Sequence, residues 1–235
     1  MNIKLKASKL AVVLASVGFC AALSAAPITS GFTFAVASGC GDTSTGTHYH
    51  SNTGGAFGNP AGKAEVGRYS CEEVRGLSEY DLTGLSTAAS AFVTFNVYKA
   101  GGLFTGTNDF PFNGNIDVQG YAGNNLEDLS DYQATSLGDV GLFPTTGLLV
   151  GDVLSFDITS IFNAAIAASQ TSLGIRLLAD PLNANGAWTF DNFRLTSTSE
   201  CTTPGGCGGD APEPGSLALL GLSLAALVST RRKQS

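Results

Sequence analysis

The run Ser90 to Lys99, SAFVTFNVYK, is the strongest constraint on how this chain folds. Ala91, Val93, Phe95 and Val97 fall on one face of an extended strand; Phe92, Thr94, Asn96 and Tyr98 fall on the other. A two-residue period rich in aromatic and β-branched side chains specifies a half-buried β-strand. The alternation recurs in Gly31–Ala37 (GFTFAVA), an initial or edge strand, and in Asn115–Tyr121 (NIDVQGY), where Gly120 admits a bulge. It returns in Asp152–Ile158 (DVLSFDI), Ser172–Ala179 (SLGIRLLA) and Ala187–Leu195 (AWTFDNFRL). In the last of these, Trp188 and Phe190 share one parity, while Phe193 and Leu195 share the other. One extra residue near Asp191–Asn192 brings all four inward, so the pattern predicts a β-bulge there.

One segment departs from period two. Ile158, Ile161, Phe162, Ala165 and Ile166 recur at helical spacing, which predicts a single short helix over about 158–168, with Thr159 or Ser160 as its cap. It is expected to cover one end or edge of the sheets. No helix alternates with the strands, which argues against a parallel α/β fold. The fold class is therefore all-β: an antiparallel β-sandwich or jelly roll with one short helix, plus a hydrophobic signal helix at each terminus.

Between these segments lie stretches with no apolar face. Residues 39–62 are rich in Gly, Ser, Thr and Asn and read as a long loop or an irregular hairpin. Residues 124–138 are polar, acidic and poorly periodic, and residues 197–210 have the composition of a flexible linker. The domain plan is a signal peptide over 1–26, a β-sandwich over 27–196, the linker over 197–210 and a tail over 211–235.

Lys4, Lys6 and Lys9 precede an apolar run from Leu10 to Leu23, followed by Ser24, Ala25 and Ala26. That is a secretory signal with a small-residue cleavage site. Cys20 lies in the apolar run behind bulky Phe19, which disfavours lipidation, and it leaves with the signal. Export leaves Cys40, Cys71, Cys201 and Cys207, an even number suited to disulfides in an oxidising compartment. Three pairings are open; Cys40–Cys71 with Cys201–Cys207 is favoured because each closes a local loop. Zinc is the alternative, but Cys40, Cys71, His48 and His50 lack the paired spacing of a closed site. Six of the 12 basic residues lie in the terminal segments, leaving six in the body against nearly all of the 19 acidic ones. Such a body disfavours nucleic acid and anionic lipid as partners.

From Ala211 the chain reads APEPGSLALLGLSLAALVSTRRKQS. Its apolar part, Ser216 to Val228, is shorter than the roughly 20 residues that span a bilayer as a helix. Arg231, Arg232 and Lys233 stay cytoplasmic under the positive-inside rule, which puts the body outside. Pro212-Glu213-Pro214, the apolar run and the Arg-Arg-Lys end together resemble the PEP-CTERM sorting signal of Gram-negative bacteria. The resemblance covers about 25 residues and makes Pro212, Glu213, Pro214, Arg231, Arg232 and Lys233 the sorting motif. It implies recognition by a membrane-embedded exosortase, cleavage near the Pro-Glu-Pro triplet, transient insertion in the inner membrane, and delivery to the cell surface or the exterior. An ordinary membrane anchor is the competing reading of this tail.

Chemistry is sparser. His48 and His50 sit two apart in the Gly-rich stretch with no third ligand at a telling spacing, and are expected in solvent. Glu72, Glu73, Glu79 and Asp81 form one acidic cluster; Glu127, Asp128 and Asp131 form another. A solvated acidic surface is the default for both, a structural Ca²⁺ site is the alternative, and paired carboxylates for glycoside hydrolysis are a third reading. Nucleophile-elbow, zinc-protease and phosphate-loop motifs are absent, so no catalytic, cofactor-binding or metal residue is assigned. Tyr98, Tyr121, Tyr132 and Trp188 are candidates for stacking on sugar, with Trp188 more at home in a core. Asp157-Ile158-Thr159 and Gly174-Ile175, within about 40 residues, are similar to jelly-roll modules of the DNRLRE type, some of which bind polysaccharide. The expectation is an exported, non-enzymatic structural or adhesive protein, associated with exopolysaccharide. A carbohydrate-binding module or a secreted polysaccharide-acting enzyme is the alternative.

Overall fold

A computed structural model describes residues 26–50, 60–103, 108–181, 185–202 and 207–208, with backbone alone at 43, 49, 50, 207 and 208. Residues 1–25, including Cys20, lie outside the described residues, as do 203–206 of the linker stretch. So does the chain from 209 onward, with Pro212, Glu213, Pro214, Arg231, Arg232 and Lys233. Among the described residues the alternating segments form strands, and the chain is all-β with one α-helix. The strands are β1 (Pro27–Ser30), β2 (Phe32–Gly39), β3 (Asp42–His50), β4 (Ala64–Tyr69), β5 (Glu72–Asp81) and β6 (Phe92–Lys99). They continue as β7 (Asn115–Ala122), β8 (Ser136–Pro144), β9 (Val153–Asp157), β10 (Ser172–Asp180), β11 (Ala187–Thr196) and β12 (Cys207–Gly208). Helix α1 (Thr159–Ala167) follows β9, and a 3₁₀ helix spans Leu129–Gln133.

Pairing is antiparallel except between β12 and β9. One layer runs β12-β9-β6-β11, with β1 and the first half of β4 sharing the free edge of β11. The other runs β3-β2-β5-β10-β7-β8. Strand β4 joins them, because Gly67 pairs with Ala187 of β11 and with Val74 of β5. Gly67 has φ +136°, and a Cβ there would strike the Gly186 carbonyl and approach Ala187 Cα to 2.8 Å. Only glycine fits a corner this tight.

The inner faces meet in an aromatic cluster. Phe95 of β6 lies 4.6 Å from Phe193, 5.5 Å from Phe190, 5.8 Å from Phe156 and 6.1 Å from Phe143, so one ring contacts β11, β9 and β8 across both layers. The bulge in β11 is present: the register with β6 shifts between Asp191 and Arg194, and Asn192 has φ +53°. Trp188, Phe190, Phe193 and Leu195 are all buried.

Three local expectations need correction. Strands β4, β5 and β8 go beyond the expected set: charges on one face of β5 hide its alternation, and β8 is interrupted by two glycines and buries only Phe143. The α1 cap is neither Thr159 nor Ser160. Ile158 occupies that position with no side-chain cap, while Asp157 Oδ1 accepts the Thr159 amide at 2.8 Å and Thr159 Oγ1 accepts the Ala91 amide at 2.9 Å. The irregularity opposite Gly120 belongs to β8, which advances two residues (Gly138 to Ser136) while β7 advances one. The uninterrupted ladder to β10 on its other edge keeps β7 regular.

Cys40 and Cys71 form a disulfide between the β2–β3 and β4–β5 turns. Cys201 is disulfide-bonded as well, and the side chain of Cys207 lies outside the described residues. Removing the Cys40–Cys71 bond frees a loop of 31 residues in the unfolded chain, which corresponds to about 3–4 kcal/mol of lost stability. Denaturant unfolding of the Cys40→Ala/Cys71→Ala double variant measures it. A loss below about 1 kcal/mol would mean that the hairpin turns hold each other without the bond.

Candidate functional site

Two polar constellations stand outside the aromatic core, one on the outer face of each layer. On β6, the parity that buries Phe95 turns Thr94, Asn96 and Tyr98 outward. On β11, the bulge turns Asn192 and Arg194 outward beside them. Ser30, Gly31, Thr33, Gly62, Asn96, Asn192, Phe193 and Arg194 line an open groove of about 570 Å³. Arg194 Nη1 donates to Asn96 Oδ1 at 3.0 Å and to the Asn192 carbonyl at 2.8 Å, and its Nε donates to Glu200 at 3.0 Å. Lys63 Nζ bonds Asp191 at 2.6 Å and lies 3.9 Å from the centre of the Tyr98 ring.

Residues 197–202, which read as tether by composition, fold back here. The Glu200 amide reaches Ser155 Oγ at 3.4 Å, and the Thr202 amide donates to the Val153 carbonyl at 3.0 Å. Glu200 thereby sits against Arg194. Each cation at the groove is thus matched by an acid, and the side-chain amides of Asn96 and Asn192 line it beside them. Of the four aromatic candidates only Tyr98 is at the surface, 39% exposed. Tyr121, Tyr132 and Trp188 are buried, and Trp188 Nε1 donates to the Phe112 carbonyl at 2.9 Å.

The second constellation overturns the solvated reading for part of the acidic clusters. Glu73, Arg75, Leu77 and Glu79 share the outer face of β5, opposite Phe34 and Val36 of β2. Residues 123–135, with the 3₁₀ helix, cross this face as a strap. Under it Glu79 is 0% and Asp131 2% exposed, and Glu73 is buried too. One residue from each acidic cluster is therefore brought to the other. Glu79 Oε2 accepts the amides of Asn124 at 3.0 Å and Asn125 at 2.7 Å and the Ser172 hydroxyl at 2.9 Å; Oε1 accepts from Tyr121 at 3.1 Å. Tyr121 lies flat over Gly174, where any Cβ would collide with its ring.

Arg176 Nη1 donates to the carbonyls of Asp131, Tyr132 and Ala134 at 3.0–3.2 Å. Arg75 donates to Glu73 at 2.8 Å and to the Tyr132 carbonyl at 2.5 Å, and its guanidinium lies 3.8 Å from the centre of the Tyr132 ring. Burial, then the charge of Glu79, pushes the Asp131 carboxyl up to about 7. Of the other members, Glu72 faces His48 Nε2 at 3.3 Å, Asp81 is exposed, and Asp128 caps the 3₁₀ helix through the Ser130 amide while its own amide donates to Asp131 Oδ2 at 3.1 Å. His48 and His50 lie on β3, with the His50 side chain outside the described residues. No group of three metal-ligating side chains occurs among the described residues, and none of their helices is long and apolar enough to cross a membrane.

Sequence reasoning pointed to Tyr98, Asn96 and the bulge but not to Lys63 or Arg194. The outer-face parity of β6, carried across to the bulged β11, was the signal that could have found Arg194.

Residues 210–233 match the family model of the PEP-CTERM protein-sorting motif. The motif implies export and processing by an exosortase on the way to the cell surface. No curated protein matches the chain.

Truncating Glu79 would strand two backbone amides and two hydroxyls under the strap. Orphaned buried donors cost about 1–3 kcal/mol each, so Glu79→Ala is expected to lose at least about 3 kcal/mol in denaturant unfolding. A loss near zero would mean that the strap is held by its arginine contacts alone.

Proposed function

We propose that this chain is an exported, non-enzymatic surface protein, sorted by its tail and serving as a structural or adhesive component that contacts matrix polysaccharide. The motif match at residues 210–233 carries the route. With the signal at 1–26, it supports passage across the inner membrane, transient anchoring by Ser216 to Val228 and cleavage near Pro212-Glu213-Pro214. The groove beside the β11 bulge supports the contact. It offers amide donors and acceptors on a rigid sheet, next to a half-exposed tyrosine, the combination that suits sugar hydroxyls and an apolar ring face.

Charge narrows the ligand. Lys63 is matched by Asp191 and Arg194 by Glu200, and the whole chain carries a formal charge of −7. A neutral polysaccharide fits such a surface better than an anionic one. The same ion pairs weigh against catalysis, because both carboxylates at the groove are occupied by cations. The Glu79–Asp131 carboxyl pair lies beneath the strap rather than in a concavity, and Asp117 and Asp139 are bridged by the Gln119 amide.

Two experiments test this reading. Replacing Pro212 and Pro214 by alanine is expected to leave full-length protein in the membrane fraction of the native host; unchanged release would count against sorting. Electrophoresis through gels containing dextran, a neutral polysaccharide, or alginate, an anionic one, tests the contact. The wild type is expected to be retarded by dextran, and the Tyr98→Ala/Asn192→Gly variant to run at least about threefold closer to the unretarded mobility. Asn192→Gly also relieves a left-handed backbone, so a folding defect is not expected to mimic the loss. Equal mobility in both gels, for wild type and variant alike, would remove the polysaccharide contact and leave the sorting reading intact.

A further inference from the structure

The strap over the second layer is held by opposed charges that do not balance. Three buried carboxyl groups, Glu73, Glu79 and Asp131, face two guanidinium groups, Arg75 and Arg176. With every group ionised, the cluster keeps one negative charge in excess where water is excluded, and one proton removes it. Glu73 holds Arg75 directly at 2.8 Å. Glu79 and Asp131 instead lie within hydrogen-bonding range of one another, as two carboxyl groups sharing one proton do.

Their elements make the pair mechanical. Glu79 belongs to β5 in the sheet, and Asp131 to the 3₁₀ helix in the strap. Glu79 also accepts the strap's own amides at Asn124 and Asn125, so the first residues of the strap hang on the same carboxyl that faces Asp131. Protonated, the pair is a bond between strap and sheet. Fully ionised, it is a repulsion between them.

We propose that the Glu79–Asp131 pair is a proton-operated latch, closing the 123–135 strap over the outer face of β2, β5, β10 and β7 in mildly acidic surroundings and loosening it as the surroundings approach neutrality. An opened strap uncovers Phe34, Val36, Leu77, Tyr121 and Tyr132, a packed apolar group otherwise closed to solvent. The latch gives an exported protein a response to external pH, to which a protein outside the cell is directly exposed.

Charged and titratable groups surround the pair. Strand β5 contributes Glu73 and Arg75, β7 contributes Tyr121, β10 contributes Arg176, and the strap contributes Asp128 and Tyr132. The part of β2 against the strap presents Phe32, Phe34 and Val36, with no charge. Burial first raises Tyr121 and Tyr132, which keeps both neutral through the range that matters. The hydrogen bond from Ser130 lowers Asp128, which keeps it ionised there. His48 of β3 faces Glu72 rather than the latch.

The sign follows from linkage. Asp131 is raised from 3.8 to about 7 when closed, so the closed strap binds a proton that the open strap releases between those values. Closure is therefore favoured as pH falls and weakens as pH rises toward about 7, by at most about tenfold in the opening constant per pH unit. Above that range the dependence levels off.

Amide hydrogen exchange on the folded protein between pH 5 and pH 8 reads the latch directly. Protection factors, corrected for intrinsic exchange, are expected to fall by up to about tenfold per pH unit at Asn124 and Asn125 while staying level at Val97 in the core. Asp131→Asn retains an acceptor for the Asp128 amide and is expected to flatten that slope; if it does not fold, Glu79→Gln replaces it. His48→Gln is expected to keep the slope. A level wild-type profile, an unchanged slope in the latch variant, or a slope lost in His48→Gln would each overturn the proposal.

Discussion

The bulge at Asp191–Asn192 is the constraint on which both faces of the first layer depend. Without the extra residue, β11 would present either Trp188 and Phe190 or Phe193 and Leu195 to the core, since a strand turns alternate side chains to opposite faces. With it, all four are buried, and Phe190 and Phe193 pack against Phe95. The same irregularity sets Arg194 and Asn192 on the outside, beside Asn96. Core and groove are thus two consequences of one backbone event.

The second layer solves a different problem. Its outer face carries charge and large aromatics together, which neither water nor a dry core accommodates alone. Residues 123–135 supply the missing partners: carbonyls for Arg75 and Arg176, amides for Glu79, and Tyr132 as a lid against Phe34 and Val36. Polar bonds thus tie the strap to the sheet. Such contacts respond to protonation, whereas the aromatic core does not.

How much of this was legible follows from where each signal lives. Period two in β6 and the parity break in β11 are local, so strand, bulge and core assignments came straight from residues such as Val93, Phe95, Phe190 and Phe193. The helix was equally local, though its cap was not, because Thr159 is engaged by Ala91, 68 residues away. Strand β5 escaped notice for a related reason. Glu73, Arg75 and Glu79 look like surface residues until a segment some 50 positions later folds over them, and nothing at Asn124 or Asp131 announces that partnership. The groove was half visible: Asn96 and Tyr98 stood on the outer face by parity, but Lys63 and Glu200 reach it from distant parts of the chain. The tail was legible because its information is linear, a triplet, an apolar length and a basic end, read by a partner rather than by the fold.

Removal of both terminal signals during export is the step on which delivery to the surface depends most. Intact-mass measurement of the protein recovered from the surface or medium of its native host tests this in one step. The predicted product begins at residue 26 or 27 and ends near Pro212-Glu213-Pro214, carrying the body with its disulfides and lacking the apolar run with Arg231, Arg232 and Lys233. A recovered chain that still contains residues 216–235 would contradict it.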